Sequence, residues 1–353
     1  MAAPVLPSAG LGLEWRPIAL DDINIWHGLV HAIDAHDEPD QRPDRDDLVE
    51  DLTNGSHKIP ARDSLMGFDA DGVARAFAHV DLLPGTTLRR AFLWGGVHPV
   101  WRRRGIGREV LRWQTERAHE AIAEQEAAEG ANAREVPWRI GVYHEEKLVD
   151  RNALCEAAGY TAIRWFHNMV HPFLDPALPI PEVVLPDGFE MGLWTEDLDE
   201  SVRLAHNEAF AKHWGSQPRT EEAWKTWTIG HRTFRRDWSR VVLDTTQHDA
   251  NGRPSVAAYL SSHAFTQDWE AKRRKEGYVD LIGVRPAWRG RRLAPALLAE
   301  AMGAYVASGM DAAALSVDTG NASGALNLYV GVGFQVDHTT IAWALESPGA
   351  AGM

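Results

Sequence analysis

The sequence predicts an α/β (α+β) fold, with a mixed sheet in each of two tandem halves that share one order of elements. Its length of 353 residues suits two domains of ordinary size, each able to bury its own core. Strand-like and helix-like patterns of apolar residues alternate through both halves. One stretch also occurs twice, as VHPVWRRRGIGREVL at 97–111 and VRPAWRGRRLAPALL at 284–298, so that Trp101 and Trp288 lie 288 − 101 = 187 residues apart. A tandem duplication explains these observations together.

The repeated stretch predicts a strand, a tight basic turn and a helix N-terminus. In each copy an apolar run typical of a strand, at 92–97 and 279–284, leads into helical spacing. The first turn of a helix has unpaired backbone N–H groups and partial positive charge, so it binds phosphate well. Arginines oppose that charge unless an anion is present, and both copies are rich in arginine. We therefore expect each copy to bind a phosphate or pyrophosphate.

The two copies differ in their small residues. Gly105 and Gly107 let the backbone of the first copy approach an anion closely, and the arginines at 102–104 add charged donors. In the second copy Arg292 replaces Gly105 and Ala294 replaces Gly107. The second turn is expected to persist if both replacements keep ordinary helical dihedrals.

Composition excludes several classes of function. A net charge of −14 argues against nucleic acid as the main partner, and the lone Cys155 excludes an internal disulfide. The 16 histidines and 15 tryptophans show no H-E-x-x-H or C-x-x-C spacing, so no metal site is predicted. No run of about 18 apolar residues and no secretion signal is found, which predicts a soluble cytoplasmic protein without membrane contact.

Element signals in the first half follow the order of an α/β domain. Asp21 and Asp22 are predicted to cap a helix, and a turn at 69–72 (DADG) joins two strands. Gly159 and Tyr160 end the last helix. The predicted strands cover 14–18, 73–80 with its partner, 92–97, 138–143 and 163–170, and the predicted helices lie within 34–51, from 105 and at 151–158.

The order then repeats after a linker. Five prolines between His171 and Gly188 predict a linker at 172–188 that separates an N-terminal domain, 1–171, from a C-terminal domain, 189–353. In the second half the pattern predicts strands at 190–193, 241–243, 255–262, 279–284 and 313–317 and up to Trp343, and helices at 197–210, from 220, up to about 306 and from about 323.

These motifs resemble the GNAT family of N-acetyltransferases, whose pyrophosphate loop reads [QR]-x-x-G-x-[GA]. Residues 102–107 (RRRGIG) fit that pattern fully, whereas 289–294 (RGRRLA) depart from it at the fourth place. Leu328-Tyr329 followed by Gly333-Phe334 is similar to the end of the family's last helix. The resemblance covers both halves, and its tandem form is most similar to the mycothiol synthase branch.

The resemblance implies acetyl-CoA (coenzyme A) as the acyl donor, bound at the two loops. The residues implied to bind it are Val97, Arg102, Arg103, Arg104, Gly105, Ile106, Gly107, Ile282, Val284, Arg289, Gly290, Arg291, Arg292, Leu293, Ala294 and Asn321. It also implies that the C-terminal half performs the chemistry.

The two halves carry different reactive residues. Aligning their last helices places Cys155 where the second half has Tyr329, the residue type that serves the family as general acid. Glu276 and Asp280 precede the second loop, whereas the matching stretch of the first half has Arg89 and no acid. We expect the C-terminal half to be catalytic, and the N-terminal half to bind coenzyme A without catalysing.

An alkyl ammonium with a pKa near ~10 must lose a proton before it attacks a thioester. Glu276 or Asp280 is the expected base, because alternate strand residues share a face if no bulge intervenes, and Glu276 is slightly favoured. Tyr329 is expected to protonate the departing thiolate, and backbone N–H groups at 282–284 to hold the carbonyl oxygen.

The acceptor is predicted to be the amine of a small molecule. Its cleft is expected to be lined by Glu208, His213, Trp214, Trp224 and Trp227, for which helix core is the alternative. Two alternatives to a general small-molecule N-acetyltransferase stay open. One is a mycothiol synthase acetylating cysteinyl-glucosaminyl-inositol, and the other is a non-catalytic acyl-CoA sensor. The sequence leaves the oligomeric state open, and the fusion of two domains is compatible with a monomer.

Overall fold

The computed structural model describes residues 4–53, 59–83, 85, 87–129, 136–249, 252–321 and 324–351. It divides into two compact units. The first comprises Met1–Arg164 together with Thr340–Met353, and the second comprises Trp165–Thr339. Each unit is a sheet with helices packed on it, which confirms the predicted mixed α/β class.

Twelve strands form the sheets in the part of the chain that the structure describes. They are β1 (Glu14–Arg16), β2 (Ser64–Phe68), β3 (Ala74–Leu83), β4 (Arg89–Val97), β5 (Trp138–Glu145), β6 (Thr161–Pro172), β7 (Phe189–Leu193), β8 (Arg240–His248), β9 (Pro254–His263), β10 (Glu276–Val284), β11 (Ala312–Asp318) and β12 (Gln335–Glu346).

Helices connect the strands. They are α1 (Ile23–Asp37), α2 (Arg45–Thr53), α3 (Pro60–Asp63), α4 (Ile106–Glu129), α5 (Val149–Ala157), α6 (Asp199–Ala209), α7 (Glu221–Trp224), α8 (Trp269–Lys272), α9 (Leu293–Ala307) and α10 (Ala325–Val332). A short π-helix, Lys225–Ile229, continues α7.

In the first unit the strands lie in the order β1, β2, β3, β4, β5, β12. Neighbours are antiparallel except β4 and β5, which are parallel. In the second unit the order is β7, β8, β9, β10, β11, β6, and again one pair, β10 with β11, is parallel. In each unit the parallel pair includes the strand that leads into a basic loop, which is β4 in the first unit and β10 in the second.

Each unit takes its last strand from the other half of the sequence. Residues 340–346 of β12 pair with β5 in the first unit, and residues 166–172 of β6 pair with β11 in the second. The chain therefore passes from the first compact unit to the second after Arg164 and returns after Thr339. The sequence instead predicts a boundary at the proline-rich stretch 172–188. Strand pairing is non-local, so a proline-based division of the chain does not reveal this exchange.

Packing of each sheet against its helices forms the cores. In the second unit Tyr305 of α9 lies under β10, where a Cβ on Gly277 would come within 2.5 Å of the ring. In the first unit Val110 of α4 packs likewise, 3.1 Å from a Cβ built on Gly95 of β4. The long helix after each basic loop is therefore fixed against the strand that precedes the loop.

Most predicted elements are observed within a few residues of their predicted bounds. Asp22 differs, because it accepts from Arg16 and the Ala19 N–H and does not cap α1. The predicted helix start at about 323 lies outside the described residues. In the described part of the chain, no helix combines the length and the apolar character needed to cross a membrane.

Candidate functional site

The two basic loops have the same backbone path. After β4 and β10 comes a single 3-10 turn, Pro99–Trp101 in one and Pro286–Trp288 in the other. The next residue is extended in both loops, and its N–H donates to the proline carbonyl, at 3.2 Å in the first and 3.3 Å in the second. The helices then begin at Ile106 and Leu293, which are both buried. The repeated sequence thus folds twice into one local structure.

Two positions in each loop adopt left-handed dihedrals. In the first loop these are Arg103 and Gly105, with φ of 63° and 86°. In the second loop they are Gly290 and Arg292, with φ of 79° and 60°. Arg292 therefore does not meet the condition of helical dihedrals under which the second turn was expected to persist. Instead, arginine and glycine have exchanged places, and the left-handed turn is kept.

The first arginine of each loop is a structural brace. Arg102 donates from Nε to the Val97 carbonyl at 3.0 Å, and its two terminal nitrogens bind the Asp37 carboxylate at 2.7 and 2.9 Å. Arg289 donates in the same way to the carbonyls of Val284 and Ala209, at 3.2 and 2.8 Å. The expectation that Arg102 is a free phosphate donor is corrected, because its guanidinium is already used within the protein.

The remaining loop arginines present their charge to solvent. Arg104 stacks on Trp101, with its guanidinium carbon 4.4 Å from the ring centre. Arg103 forms an exposed ion pair with Asp150 at 3.2 Å. Arg291 and Arg292 are exposed, and the described residues include no acidic partner for Arg292. Both helix N-termini therefore carry available positive charge.

Each strand before a loop extends past its parallel pairing, so its last N–H groups on that side do not pair with a described strand. The pairs of β10 with β11 end at Val279. Leu281 and Arg285 donate toward β9, at 3.0 Å to Ser261 Oγ and to the Ala257 carbonyl. Because strand N–H groups alternate, those of Ile282 and Val284 point away from β9. These are two of the residues predicted to hold the carbonyl oxygen.

A β-bulge distinguishes β10 from β4. The register of β10 with β9 shifts between Val279 and Leu281, whereas β4 pairs with β3 without interruption. Asp280 is therefore the extra residue, and the bulge changes which face the later residues of β10 occupy. Leu93, 187 positions earlier in β4, packs in the core of the first unit, whereas the Asp280 side chain is 37% exposed.

Glu276, the base favoured from the sequence, lies in a different environment. Its carboxylate is buried, with 3% of the residue exposed. Lys272 donates to one oxygen, and Arg274 donates to the other at 2.9 and 3.0 Å. Two cations therefore hold its charge at the entry to β10. The preference for Glu276 is corrected, since a carboxylate used in this way is not available to an incoming amine.

Asp280 is placed beside polar groups that the sequence analysis missed. Its Oδ2 lies 3.6 Å from Nε2 of His263, the last residue of β9. His263 Nδ1 is 2.8 Å from Thr233 Oγ1, which is 2.7 Å from His231 Nδ1. No spacing in the sequence signals this group, because its members come from a loop and two separate strands.

Tyr329, the predicted acid, lies in α10 and is largely buried beside Phe334. Burial raises the pKa of Tyr329 to about 12, so the phenol is protonated at neutral pH. The N–H of Phe334 donates to the Tyr329 carbonyl at 3.0 Å, and Tyr160 donates to Cys155 in the same way at 3.0 Å. The predicted alignment of the two last helices is thus confirmed.

The first unit has a different group at this point. Cys155 is buried, and its sulfur lies 3.7 Å from His144 Nδ1. Burial raises the pKa of Cys155 to about 12, so the thiol stays protonated. Arg89 is also buried, and donates to the Val136 carbonyl at 3.0 Å. The described part of β4 has no acid that corresponds to Asp280.

The predicted acceptor residues do not all line a cleft. Trp224 belongs to the core, stacked on Trp194 with ring centres 5.9 Å apart, so its predicted role is corrected. Glu208 forms an ion pair with Arg285. His213 Nδ1 lies 3.0 Å from the Trp214 carbonyl, and Trp227 on the π-helix is 37% exposed.

Asn321, implied to contact coenzyme A, follows β11. Its N–H donates to the Asp318 carbonyl at 3.1 Å, which forms a tight turn at the end of the strand. Gly107 is the small residue of the first loop, and a Cβ there would lie 3.4 Å from Leu154. Alanine is therefore tolerated at this position, as at Ala294 of the second loop.

Several known proteins are similar to this chain in sequence. Residues 200–334 match the model of the Acetyltransferase (GNAT) family. The chain is 28% identical to the mycothiol acetyltransferase of Thermomonospora curvata over 265 residues, which are 75% of this chain and 76% of that protein. It is 28% identical to the mycothiol acetyltransferase of Salinispora tropica over 284 residues, which are 79% and 78% of the two chains.

Solved structures show the same architecture. A GCN5-related N-acetyltransferase from Sphaerobacter thermophilus matches with a TM-score of 0.71 and 24% identity over 97% of both chains. A tandem GNAT protein from the clavulanic acid biosynthesis pathway matches with a TM-score of 0.64 and 18% identity, over 96% of this chain and 99% of that one. The duplicated loops, the paired helix ends and these similarities agree. Residues 200–334 are therefore similar to the GNAT family of N-acetyltransferases, and the whole chain has the fold of tandem GNAT proteins and resembles mycothiol acetyltransferases.

Proposed function

We propose that this protein transfers the acetyl group of acetyl-CoA to the primary amine of a small molecule, and that the second unit performs the reaction. The β-bulge at Asp280 carries this proposal. It presents one partly exposed carboxylate in a strand that leads into an anion-binding loop, and β4 of the first unit lacks such a carboxylate. A base next to a donor site is what amine acetylation needs.

The residues present suit a pyrophosphate at both loops. The loop residues just before α4 and α9 are exposed, and both loops have left-handed positions and solvent-facing arginines. Unpaired N–H groups and guanidinium groups together bind phosphate oxygens. In the second unit Gly290, Arg291, Arg292 and Ala294 would contact the diphosphate. Bound acetyl-CoA supplies the activated acyl group.

The reaction then follows from the groups on the protein. Asp280, directly or through one water, removes a proton from the ammonium and frees the nitrogen lone pair. The amine attacks the thioester carbonyl, so a C–N bond forms and the C–S bond breaks. The N–H groups of Ile282 and Val284 stabilise the carbonyl oxygen as it gains charge. Tyr329 is protonated at neutral pH and supplies a proton to the departing sulfur, and the second proton that the nitrogen loses as the amide forms restores the phenol.

The first unit is proposed to bind acetyl-CoA without catalysing transfer. Its loop has the complete glycine pattern, but Leu93 and Cys155 stand where the second unit has Asp280 and Tyr329. A buried leucine is not a base, and the buried Cys155 thiol lies beside His144 where the second unit has a phenol. The first loop thus suits a stabilising or regulatory role for its ligand.

The relatives favour one specific acceptor as a second candidate. Both relatives named above are mycothiol acetyltransferases, and the match covers about three quarters of this chain. This supports cysteinyl-glucosaminyl-inositol, whose cysteine amine would be acetylated. Of the predicted acceptor residues, Glu208 and Trp227 are exposed, and His213 and Trp214 are partly exposed.

Thiol release tests the proposal. Purified protein is incubated with acetyl-CoA and a panel of amines that includes cysteinyl-glucosaminyl-inositol, amino sugars and amino acids. The appearance of free coenzyme A is followed by a thiol reagent, after correction for any thiol in the acceptor. We expect turnover with at least one amine and its loss in Asp280→Asn. Tight binding of acetyl-CoA without release for any amine would instead support the acyl-CoA sensor.

A further inference from the structure

A chain of polar side chains in the second unit connects Asp280 to the protein interior. His263 is buried at the end of β9, with its Nε2 3.6 Å from Asp280 Oδ2. Its Nδ1 lies 2.8 Å from Thr233 Oγ1, and that hydroxyl lies 2.7 Å from His231 Nδ1. The Ala264 N–H donates to the Thr233 carbonyl at 2.9 Å, which fixes the two segments beside each other.

The directions of these hydrogen bonds decide the tautomer of His263. The Thr233 N–H donates to His231 Nδ1 at 3.3 Å, so this nitrogen carries a lone pair. The Thr233 hydroxyl has a single hydrogen, which it can donate either to that lone pair or to His263 Nδ1. When the hydroxyl donates to His231, its oxygen accepts from His263 Nδ1–H, and Nε2 of the neutral His263 ring is the unprotonated nitrogen that faces Asp280.

This arrangement brings two acceptors together. The lone pair of His263 Nε2 and the carboxylate of Asp280 face each other, and Nε2 is buried without a hydrogen-bond partner among the described residues. Two facing acceptors repel each other, whereas a proton between them is held by both. In this tautomer His263 Nε2 and the Asp280 carboxylate can hold one proton between them.

We propose that His263 shares with Asp280 the proton released by the acceptor amine, and that Thr233 holds the imidazole in the tautomer this requires. The inference rests on the proposed acetyl transfer and adds a positioning residue to it. The ammonium loses its proton to Asp280, and the proton is then held between Oδ2 and Nε2. The nitrogen lone pair is free to form the C–N bond, and the shared proton leaves to solvent after the product.

The surrounding groups act on the pKa of His263 in both directions, and the net effect is to lower it. Burial lowers the pKa of His263, and His231 and Arg219 act in the same direction, whereas the Asp280 carboxylate raises it. Burial raises the pKa of Tyr259 nearby, Arg219 lowers this pKa, and Asp280 raises it. Phe265 stacks on the His263 ring with centres 5.9 Å apart and limits its rotation.

Kinetics of His263→Gln test the role directly. We expect kcat to fall roughly 10- to 100-fold, as for loss of a group that assists proton transfer, with acetyl-CoA affinity unchanged. An acceptor amine of low pKa, already neutral at the assay pH, should recover most of the rate. Thr233→Val should show a smaller fall of the same kind. An equal loss for both amines, or no loss, would overturn the proposal.

A matched pair elsewhere in the same unit provides the control. His167 Nδ1 lies 3.1 Å from Thr339 Oγ1, so it is also a histidine with a threonine partner, but it has no part in the proposed site. His167→Gln should keep the wild-type kcat and pH profile. A fall as large as that of His263→Gln would show that the effect is structural.

Proton sharing has a readout that needs no acetyl transfer. Nitrogen-15 NMR of the histidine rings, with His263 assigned by its loss in His263→Gln, gives the pKa and tautomer of this residue. Asp280→Asn should lower the His263 pKa by about one pH unit, because an opposite charge is removed. An unchanged pKa would contradict the pairing. If the wild-type protein acetylates no amine, the proposed function fails, while this measurement still decides whether the pair shares a proton.

Discussion

Arg292 and Gly105 hold the same left-handed backbone conformation at matching positions of the two basic loops, with φ of 60° and 86°. Two residues earlier the roles are reversed, because Gly290 and Arg103 have φ of 79° and 63°. Each loop therefore has one glycine and one arginine at its two left-handed positions. A non-glycine residue there costs roughly 1–2 kcal/mol, so each loop retains one strained arginine.

Gly105 tests whether the first loop binds acetyl-CoA. A β-branched residue is strongly disfavoured at its φ of 86°, so Gly105→Val should distort the turn and remove the anion site. We expect calorimetry to find two equivalents of acetyl-CoA for the wild-type chain and one for the variant. Gly28→Ala is the control, since a Cβ there meets no atom within 4 Å. Two equivalents bound to Gly105→Val would contradict the assignment.

Tyr329 and Cys155 test the division of labour between the units. Tyr329→Phe keeps the ring in the core but removes the acidic hydroxyl, so kcat should fall by ~10²-fold while acetyl-CoA affinity stays nearly constant. Cys155→Ala removes a thiol whose pKa is about 12 and should leave turnover close to the wild-type value. Steady-state kinetics with calorimetry measure both. If Cys155→Ala is the inactive variant, the first unit and not the second performs the reaction.

Removing the charge of Glu276 should mainly lower stability, whereas removing the charge of Asp280 should mainly lower activity. Glu276→Gln leaves Lys272 and Arg274 without their shared carboxylate, so the free energy of unfolding should fall by about 2 kcal/mol. Asp280→Asn should change stability little. It should lower kcat/KM at neutral pH, with a value that keeps rising with pH as the free amine forms. Urea unfolding and pH–rate profiles separate the two effects, and a stable Glu276→Gln protein with an altered pH profile would restore Glu276 as the base.

His206 should make the stability of the second unit depend on pH. Burial lowers its pKa to about 3, with Arg219 and His213 acting in the same direction, and its Nδ1 lies 2.6 Å from the Tyr259 hydroxyl. The unfolded chain, with a histidine pKa near 6.5, then binds more protons than the folded chain. This contribution is complete above pH 6.5 and is lost as the pH falls toward 3, by up to ~1.4 kcal/mol per pH unit.

His206→Gln removes the titrating group and can keep a hydrogen bond to Tyr259. The variant should therefore lose less stability than the wild type when urea unfolding at pH 7.5 is compared with unfolding at pH 5. Equal losses in the two proteins would show that other groups cause the acid sensitivity. His248→Gln, a substitution of an exposed histidine at the end of β8, serves as the control.

Local patterns in the sequence were sufficient for the repeated loops. The Pro and Trp residues of each copy specify the 3-10 turn, and Gly159 and Gly333 specify the left-handed ends of α5 and α10. These features depend on dihedral preferences and contacts between residues close in the chain. The predicted fold class, the family resemblance and the alignment of Cys155 with Tyr329 could therefore be made without coordinates, and they are confirmed.

Only the tertiary structure decided which side chains are available for chemistry. The bulge at Asp280 arises from the register of β10 on β9, and Glu276 is neutralised by two cations that nearby chain segments bring to it. Asp37 reaches Arg102 from α1, and β12 crosses to the first unit. The bulge, the Asp37–Arg102 contact and the pairing of β12 depend on segments that are distant in the chain, and sequence spacing does not encode such pairing. The two cations at Glu276 are close to it in sequence, but only the folded path of the chain brings them to its carboxylate. Alternation along a strand predicts a face, but burial and partners determine whether a carboxylate on that face is free to accept a proton.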